Sequence, residues 1–205
     1  MASLNEHPFA LTIWGQLKVH LKNEIGVAAL MGNLQAESGL YPDRVQGDIP
    51  YSDYSKTYTA NVDNGSISEN DFVNNGPNRG GYGLAQWTFY TRKQGLYNMF
   101  KSGGYDSIGS PKLACDYLIY ELRESYTGVY NALVNATDVR SASDRVLHDF
   151  ENPADQSESV EILRASMGQE IYNTFKGLNG DNGAVTPTHK TMSKLLLWAI
   201  ATDIY

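Results

Sequence analysis

The sequence predicts a mainly α protein, an α+β fold with a helical body and a small β or loop wing around a cleft. Three observations predict it. Apolar residues recur at helical spacing through the first forty residues and again from about 91 to 176. Residues 41–80 break that rhythm with Asp, Asn, Gly and Ser and with Tyr41, Tyr51, Tyr54 and Tyr58. A glycine-rich aromatic segment, Gly80-Gly81-Tyr82-Gly83-Leu84-Ala85-Gln86-Trp87-Thr88, then precedes the return of the helices.

A first helix is expected from about 8 to 20, with Phe9, Ile13, Trp14 and Leu17 inward. Asn23 is a good cap for a second, which carries Val27, Leu30, Met31 and Leu34 on one apolar face and stops at Gly39. A stretch as long as 41–80 without regular structure is uncommon inside a domain and usually functional, so short strands or a lid are expected there. Its tyrosines are either platforms for a ring-shaped ligand or ordinary loop packing. Helix resumes over 91–102. Ser110-Pro111 is a start signal, a cap followed by proline at the first helical position. That helix buries Leu113, Tyr117, Leu118 and Leu122. Further helices are expected at 126–136, 139–150 and 157–176, the last with Val160, Leu163, Met167, Ile171 and Phe175 inward and a stop at Gly177.

This pattern gives one domain over 1–177. Residues 178–188, rich in Gly and Asn and containing Pro187, are expected to be a linker. A helical extension, 189–205, follows, either the start of a further domain or a small helix docked back on the body.

Composition narrows the function. With 205 residues and 41% hydrophobic content, the chain can build a sizeable core. A net charge of −7 speaks against nucleic acid, which demands clustered Lys and Arg. His7, His20, His148 and His189 form no metal-ligand spacing, so neither a metal nor another cofactor is expected. Cys115, the single cysteine, sits between Leu113 and Leu118 in an amphipathic pattern and is expected to be packing rather than a nucleophile. The apolar run Leu195–Ala201 is too short to span a bilayer, so no membrane insertion is expected. Met1 to His7 carry neither a basic region nor an apolar core, and no signal peptide is expected in this chain.

Chemistry concentrates in two motifs. In Gly32-Asn33-Leu34-Gln35-Ala36-Glu37-Ser38-Gly39, Glu37 continues the apolar face of its helix into the last turn. Desolvation there and the negative helix end would both favour its protonated form, which a general acid needs near neutral pH. In the second motif, Gly80, Gly81 and Gly83 let backbone approach a ligand closely. Tyr82, Trp87, Phe89 and Tyr90 offer flat surface for sugar rings, and Gln86 both donates and accepts. No Lys-Ser/Thr follows, so the glycines are not a phosphate cradle.

Together, Gly-Asn-Leu-Gln-Ala-Glu-Ser and Gly-Tyr-Gly-Leu-Ala-Gln-Trp-Thr resemble the phage tail lysozyme family of the lysozyme-like superfamily. The likeness extends to Tyr58-Thr59, Val62-Asp63-Asn64-Gly65, Arg92-Lys93-Gln94-Gly95-Leu96, Phe150-Glu151 with Pro153-Ala154-Asp155-Gln156-Ser157, and Arg164-Ala165 with Gly168-Gln169, roughly residues 8–177. One departure is Asn152, where the family usually has Arg. The resemblance implies a lysozyme-like fold and a muramidase that cuts the β-1,4 bond between N-acetylmuramic acid and N-acetylglucosamine in Gram-positive cell wall. It implies Glu37 as the catalytic acid, with Gly83, Leu84 and Gln86 lining the sugar cleft beside Tyr82, Trp87 and Tyr58. Peptidoglycan is the implied partner, along with other phage tail proteins or a following peptidase domain. The implied setting is the virion or, after release, the cell wall.

Glycoside hydrolysis ordinarily needs a second carboxylate. Asp43, Asp48, Asp53, Asp63, Glu69 and Asp71 are candidates, with Asp63 favoured from its family-like element, although Asp-Asn-Gly is also ordinary turn chemistry. Without such a partner, the alternatives are Glu37 acting alone on a positioned water or lytic transglycosylase chemistry. A non-catalytic glycan-binding module of a tail is the reading from another class. Glu151 reads as structural, at a helix end before Pro153.

Overall fold

The computed structural model describes residues 3–75, 80–178, 180–181 and 184–185. Helices α1 (Ala10–Leu21) and α2 (Glu24–Ser38) open the chain. They are followed by α3 (Asp53–Asp63), a π-helical turn at Asp71–Asn75, and α4 (Tyr90–Ser102). Next come α5 (Pro111–Ser125), α6 (Thr127–Val134) and α7 (Val139–Val146). A second π-helical turn, Leu147–Glu151, continues α7, and α8 (Glu158–Phe175) closes the body. Strands β1 (Gly180–Asp181) and β2 (Ala184–Val185) form a two-residue antiparallel pair. That pair falls inside the segment expected to be a linker. The expected extension at 189–205 lies outside the described residues.

Helix α2 is the axis of the body. Every residue from Gly26 to Leu34 is buried, so it is enclosed on all sides rather than along one stripe. It touches α1, α6, α7 and α8. Two glycines allow the closest approaches. A Cβ on Gly32 would lie 2.5 Å from the Arg164 carbonyl oxygen and from the Gly168 nitrogen, and one on Gly26 would lie 2.0 Å from the Leu133 carbonyl oxygen. Both ends of α2 are fixed. The Asn23 side chain accepts from the amides of Ile25 and Gly26 and donates to the carbonyls of Val134 and Ala136. At the other end Gly39 takes φ +65° and its amide closes on Gln35.

The helices of the body stand close to the expected positions. Ile13, Trp14 and Leu17 are buried, as are Leu113, Tyr117, Leu118 and Leu122, and Cys115 packs among them. Ser110 caps α5 ahead of Pro111. Two expectations need correction. The inward face of α8 is Arg164, Ala165, Gly168, Ile171 and Phe175, while Leu163 is 54% exposed. The crossing against Gly32 turns the small residue Gly168 inward and leaves Leu163 on the outside.

The larger correction concerns 41–80, which holds a helix. Buried residues of α3 are Ser55, Thr59 and Val62, at helical spacing but mostly polar, so hydrophobic periodicity does not reveal them. Ser52 caps it, and Asp48 accepts from Ser52 and Ser55. Backbone pairing near the cleft amounts to two isolated antiparallel bridges among the described residues, Val45 with Tyr82 and Tyr82 with Trp87. The expected β wing is therefore a pinned loop and a helix rather than a sheet.

Candidate active site

The last turn of α2 delivers Glu37 to the wall of a cleft of about 320 Å³. Glu37 is not met there by an apolar face. Arg164, from α8, donates through Nη2 to Glu37 Oε1 at 2.6 Å, and the Glu37 side chain is 22% exposed. Arg164 is itself anchored, since its Nη1 lies 3.4 Å from Asn33 Oδ1. Asn33 in turn donates to the Ala29 carbonyl and to Ser143 Oγ. Glu37 thus stands at the end of a hydrogen-bonded chain that crosses from α7 through α2 to α8. Arg164 claims one oxygen of the carboxyl, and Oε2 has no protein partner among the described residues.

The opposite wall comes from the glycine-rich segment. Tyr82 and Trp87 exchange backbone hydrogen bonds across a tight turn, with Gly83 at φ +80° and Gln86 at φ +46°. The Gly83 amide donates to the Arg44 carbonyl, and the Gln46 amide donates to the Gly81 carbonyl. The Gln86 side chain folds back to donate to the carbonyls of Gly83 and Arg44. This turn presents Ala85, Gln86 and Thr88 to the cleft, with Arg44, Gln46, Gly47 and Ile49 beside them. Ile49, 78% exposed, and Phe89, 72% exposed, form an apolar rim.

Most of the other residues expected at the site turn inward instead. Tyr82 is buried and its hydroxyl pairs with Thr59 Oγ1 at 2.8 Å. Trp87 is buried and its Nε1 donates to Glu121. Leu84 is fully buried, and Gly83 packs on the Trp87 ring. Tyr58 is half-buried among Phe72 and Tyr82, with its hydroxyl sealed from solvent. Their aromatic mass builds the floor on which the turn sits and offers no stacking surface. Asp63 is also elsewhere. It ends α3, where its Oδ1 accepts from the Ile108 amide at 2.8 Å, and it does not line the cleft. Of the expected site residues, Glu37, Gln86 and Phe89 meet there.

The carboxyl that does share the cleft with Glu37 is Glu151. The Asn152 amide closes the π-helical turn on the Leu147 carbonyl at 2.8 Å. Asn152 then takes φ +44°, a left-handed conformation that asparagine tolerates, and Pro153 carries the chain away. The extra residue in the turn buries Phe150 and aims Glu151 into the cleft. Glu151 Oε1 is sealed with no hydrogen-bond partner. Burial pushes the Glu151 carboxyl up to about 8, with Glu37 and Glu121 adding to the rise and Arg92 and Arg164 opposing it. Arg92 gives both arms to Glu121, Nε to Oε1 at 2.5 Å and Nη2 to Oε2 at 2.7 Å, and stacks its guanidinium over the Phe150 ring. Burial pulls the Arg92 guanidinium down, and its bonds to Glu121 more than restore it. Sequence reasoning set Glu151 aside as structural. The available signal was a glutamate two residues before a proline at a helix end, where the chain must turn sharply.

Every residue that lines this cleft falls within residues 9–175, the stretch matched by the model of one family, phage tail lysozyme. The chain belongs to the phage tail lysozyme family. No curated protein and no solved structure matches it. Membership makes it a lysozyme-like peptidoglycan hydrolase with a phage tail setting. Among the described residues, no group of three His, Cys, Asp or Glu side chains is placed to hold a metal, and no helix is long and apolar enough to cross a membrane.

Proposed function

We propose that this chain is a muramidase carried on the virion, cutting the β-1,4 bond between N-acetylmuramic acid and N-acetylglucosamine in Gram-positive peptidoglycan. Glu37 is the general acid. The observation that supports this reading best is the anchoring of Glu37. Arg164 fixes one oxygen of a carboxyl at the cleft wall and leaves the other toward the space a sugar would occupy. Oε2 then carries the proton to the leaving oxygen as the glycosidic bond opens, and water completes the hydrolysis. The Gln86 turn brings backbone and small side chains within reach of hydroxyl and acetamido groups, and Ile49 and Phe89 cover the apolar faces of the sugars.

A lytic transglycosylase is the second reading, and the placement of Asp63 favours it. With that aspartate engaged by Ile108, Glu37 lacks the expected carboxylate partner. The 6-hydroxyl of the muramic acid would then replace water as the nucleophile. Mass spectrometry of soluble products from purified Gram-positive peptidoglycan separates the readings. Reducible muramic ends from the wild type identify a muramidase, and anhydro-muramic ends a transglycosylase. Glu37→Gln should keep the fold and lose at least about a hundredfold in rate, as removal of a general acid does. Undiminished release of fragments by Glu37→Gln removes Glu37 from the chemistry.

A further inference from the structure

We infer that Glu151 is a further substrate-binding residue of this cleft, a carboxylic acid whose open oxygen donates a hydrogen bond to the glycan held beside Glu37. The inference rests on the glycan-cleaving reading of the cleft and adds a donor that the sequence did not reveal. Its basis is geometric. Glu151 lines the same cleft as Glu37, at the end of a turn whose extra residue points it inward. One oxygen, Oε1, is sealed and unpartnered, so Oε2 is the atom that opens on the cleft.

The charges that face it come from four helices. They are Glu37 on α2, Arg92 on α4, Glu121 on α5 and Arg164 on α8. Both arginines are already engaged, Arg92 by Glu121 and Arg164 by Glu37, and neither bonds to Glu151. A carboxylate here would have no donor to stabilise it, so the group keeps its proton to about pH 8. A neutral carboxyl differs from a carboxylate in what it offers a ligand, since it donates. A glycan strand supplies the matching acceptors in acetamido carbonyl, hydroxyl and ring oxygens. Oε2, which opens on the cleft, finds its partner when the sugar enters.

Ionisation removes the donor and sets a negative charge beside Glu37. The rate of fragment release from peptidoglycan should therefore fall across about pH 8 relative to a variant that cannot ionise there, by roughly tenfold in all, as for one hydrogen bond lost. The experiment measures kcat and KM from about pH 5 to 9 for the wild type, Glu151→Gln and Glu151→Leu. Glutamine donates without titrating. Glu151→Gln should lose roughly threefold to tenfold at neutral pH, as for one altered hydrogen bond, mostly in KM. Its rate relative to the wild type should also rise across about pH 8. Glu151→Leu should be weaker than Glu151→Gln throughout.

Any other essential proton, that of the general acid included, is lost alike in all three proteins, so a ratio of wild type to Glu151→Gln that stays constant across about pH 8 overturns the inference, as does equal activity of the Gln and Leu variants. His148, whose ring is held by Gln156 and Glu161, also titrates above its usual range, and a limb due to it would persist in Glu151→Gln. If the wild type releases no fragments at any pH, the glycosidase reading falls separately. Sedimentation with peptidoglycan then decides the role of Glu151: binding lost above pH 8 in the wild type and kept in Glu151→Gln supports it, and identical profiles refute it.

Discussion

The two carboxyls of the cleft are held in opposite ways. Glu37 ends a chain of satisfied groups, Ser143 to Asn33 to Arg164, with each link bonded to the next. Glu151, on the facing turn, has a sealed oxygen with no partner. The difference separates what the fold supports from what the site demands. A charged donor on one carboxyl oxygen fixes a side chain in one place. A buried acid without a donor works against folding and persists where something other than stability retains it.

Breaking the Glu37 side should have the largest effect. Arg164→Leu leaves Glu37 and Asn33 without their cation in a largely buried setting. The expected loss is about 3–5 kcal/mol, the range seen when one member of a buried pair is removed. Urea denaturation measures it directly. A loss under about 1 kcal/mol would place Arg164 among pairs that water screens, and the anchoring of Glu37 would then be incidental.

The Glu151 side sharpens the contrast through pH. Its carboxyl titrates near 8 in the folded protein, above the ordinary glutamate value near 4.3. Between those values the folded state holds a proton that the unfolded state has released, so stability falls as pH rises. The contribution is complete below the unfolded value and is gone once pH passes the folded one. Wild type should lose about 1 kcal/mol per pH unit from this group between roughly pH 5 and 8, and Glu151→Gln should not. Parallel stability profiles for the two proteins would show that the carboxyl is solvated after all.

The same division explains what the sequence made legible. Helix α2 announced itself through Asn23, its apolar residues and Gly39, because burial, cap and stop all agreed. Glu37 is expected from its place on that helix taken together with the glycine-rich motif, and it lines the cleft. Its neighbour is not expected, since Arg164 lies 127 residues further on and only the close crossing of Gly32 over Gly168 brings it near. Helix α3 escapes the pattern because two of its three buried positions, Ser55 and Thr59, are polar. The pattern assigns the aromatic residues beside the glycines to sugar. In the fold, Tyr82 and Trp87 bond to Thr59 and Glu121 and form the floor. A period-based reading counts apolar faces and cannot see a core that is closed by hydrogen bonds between segments far apart in sequence.

That kind of core can be tested at Ser55, where the smallest of these effects is expected. Its hydroxyl donates to Asp48 Oδ2 at 2.6 Å and accepts from the Val45 amide at 2.9 Å, and the side chain is fully buried. Burial alone would raise the Asp48 carboxyl, yet hydrogen bonds from Ser52 and Ser55 draw it down to about 2. This group therefore stabilises the fold above its unfolded value near 3.9, and the gain is lost as pH falls through about 2. Ser55→Ala removes one of those donors and should cost about 1 kcal/mol at neutral pH, less in strong acid. Val45 bridges Tyr82 at the base of the Gln86 turn, so the loosened pairing should raise KM for peptidoglycan while leaving kcat nearly intact. A drop in kcat with KM unchanged would mean that this segment touches the reaction itself rather than the wall that holds the sugar.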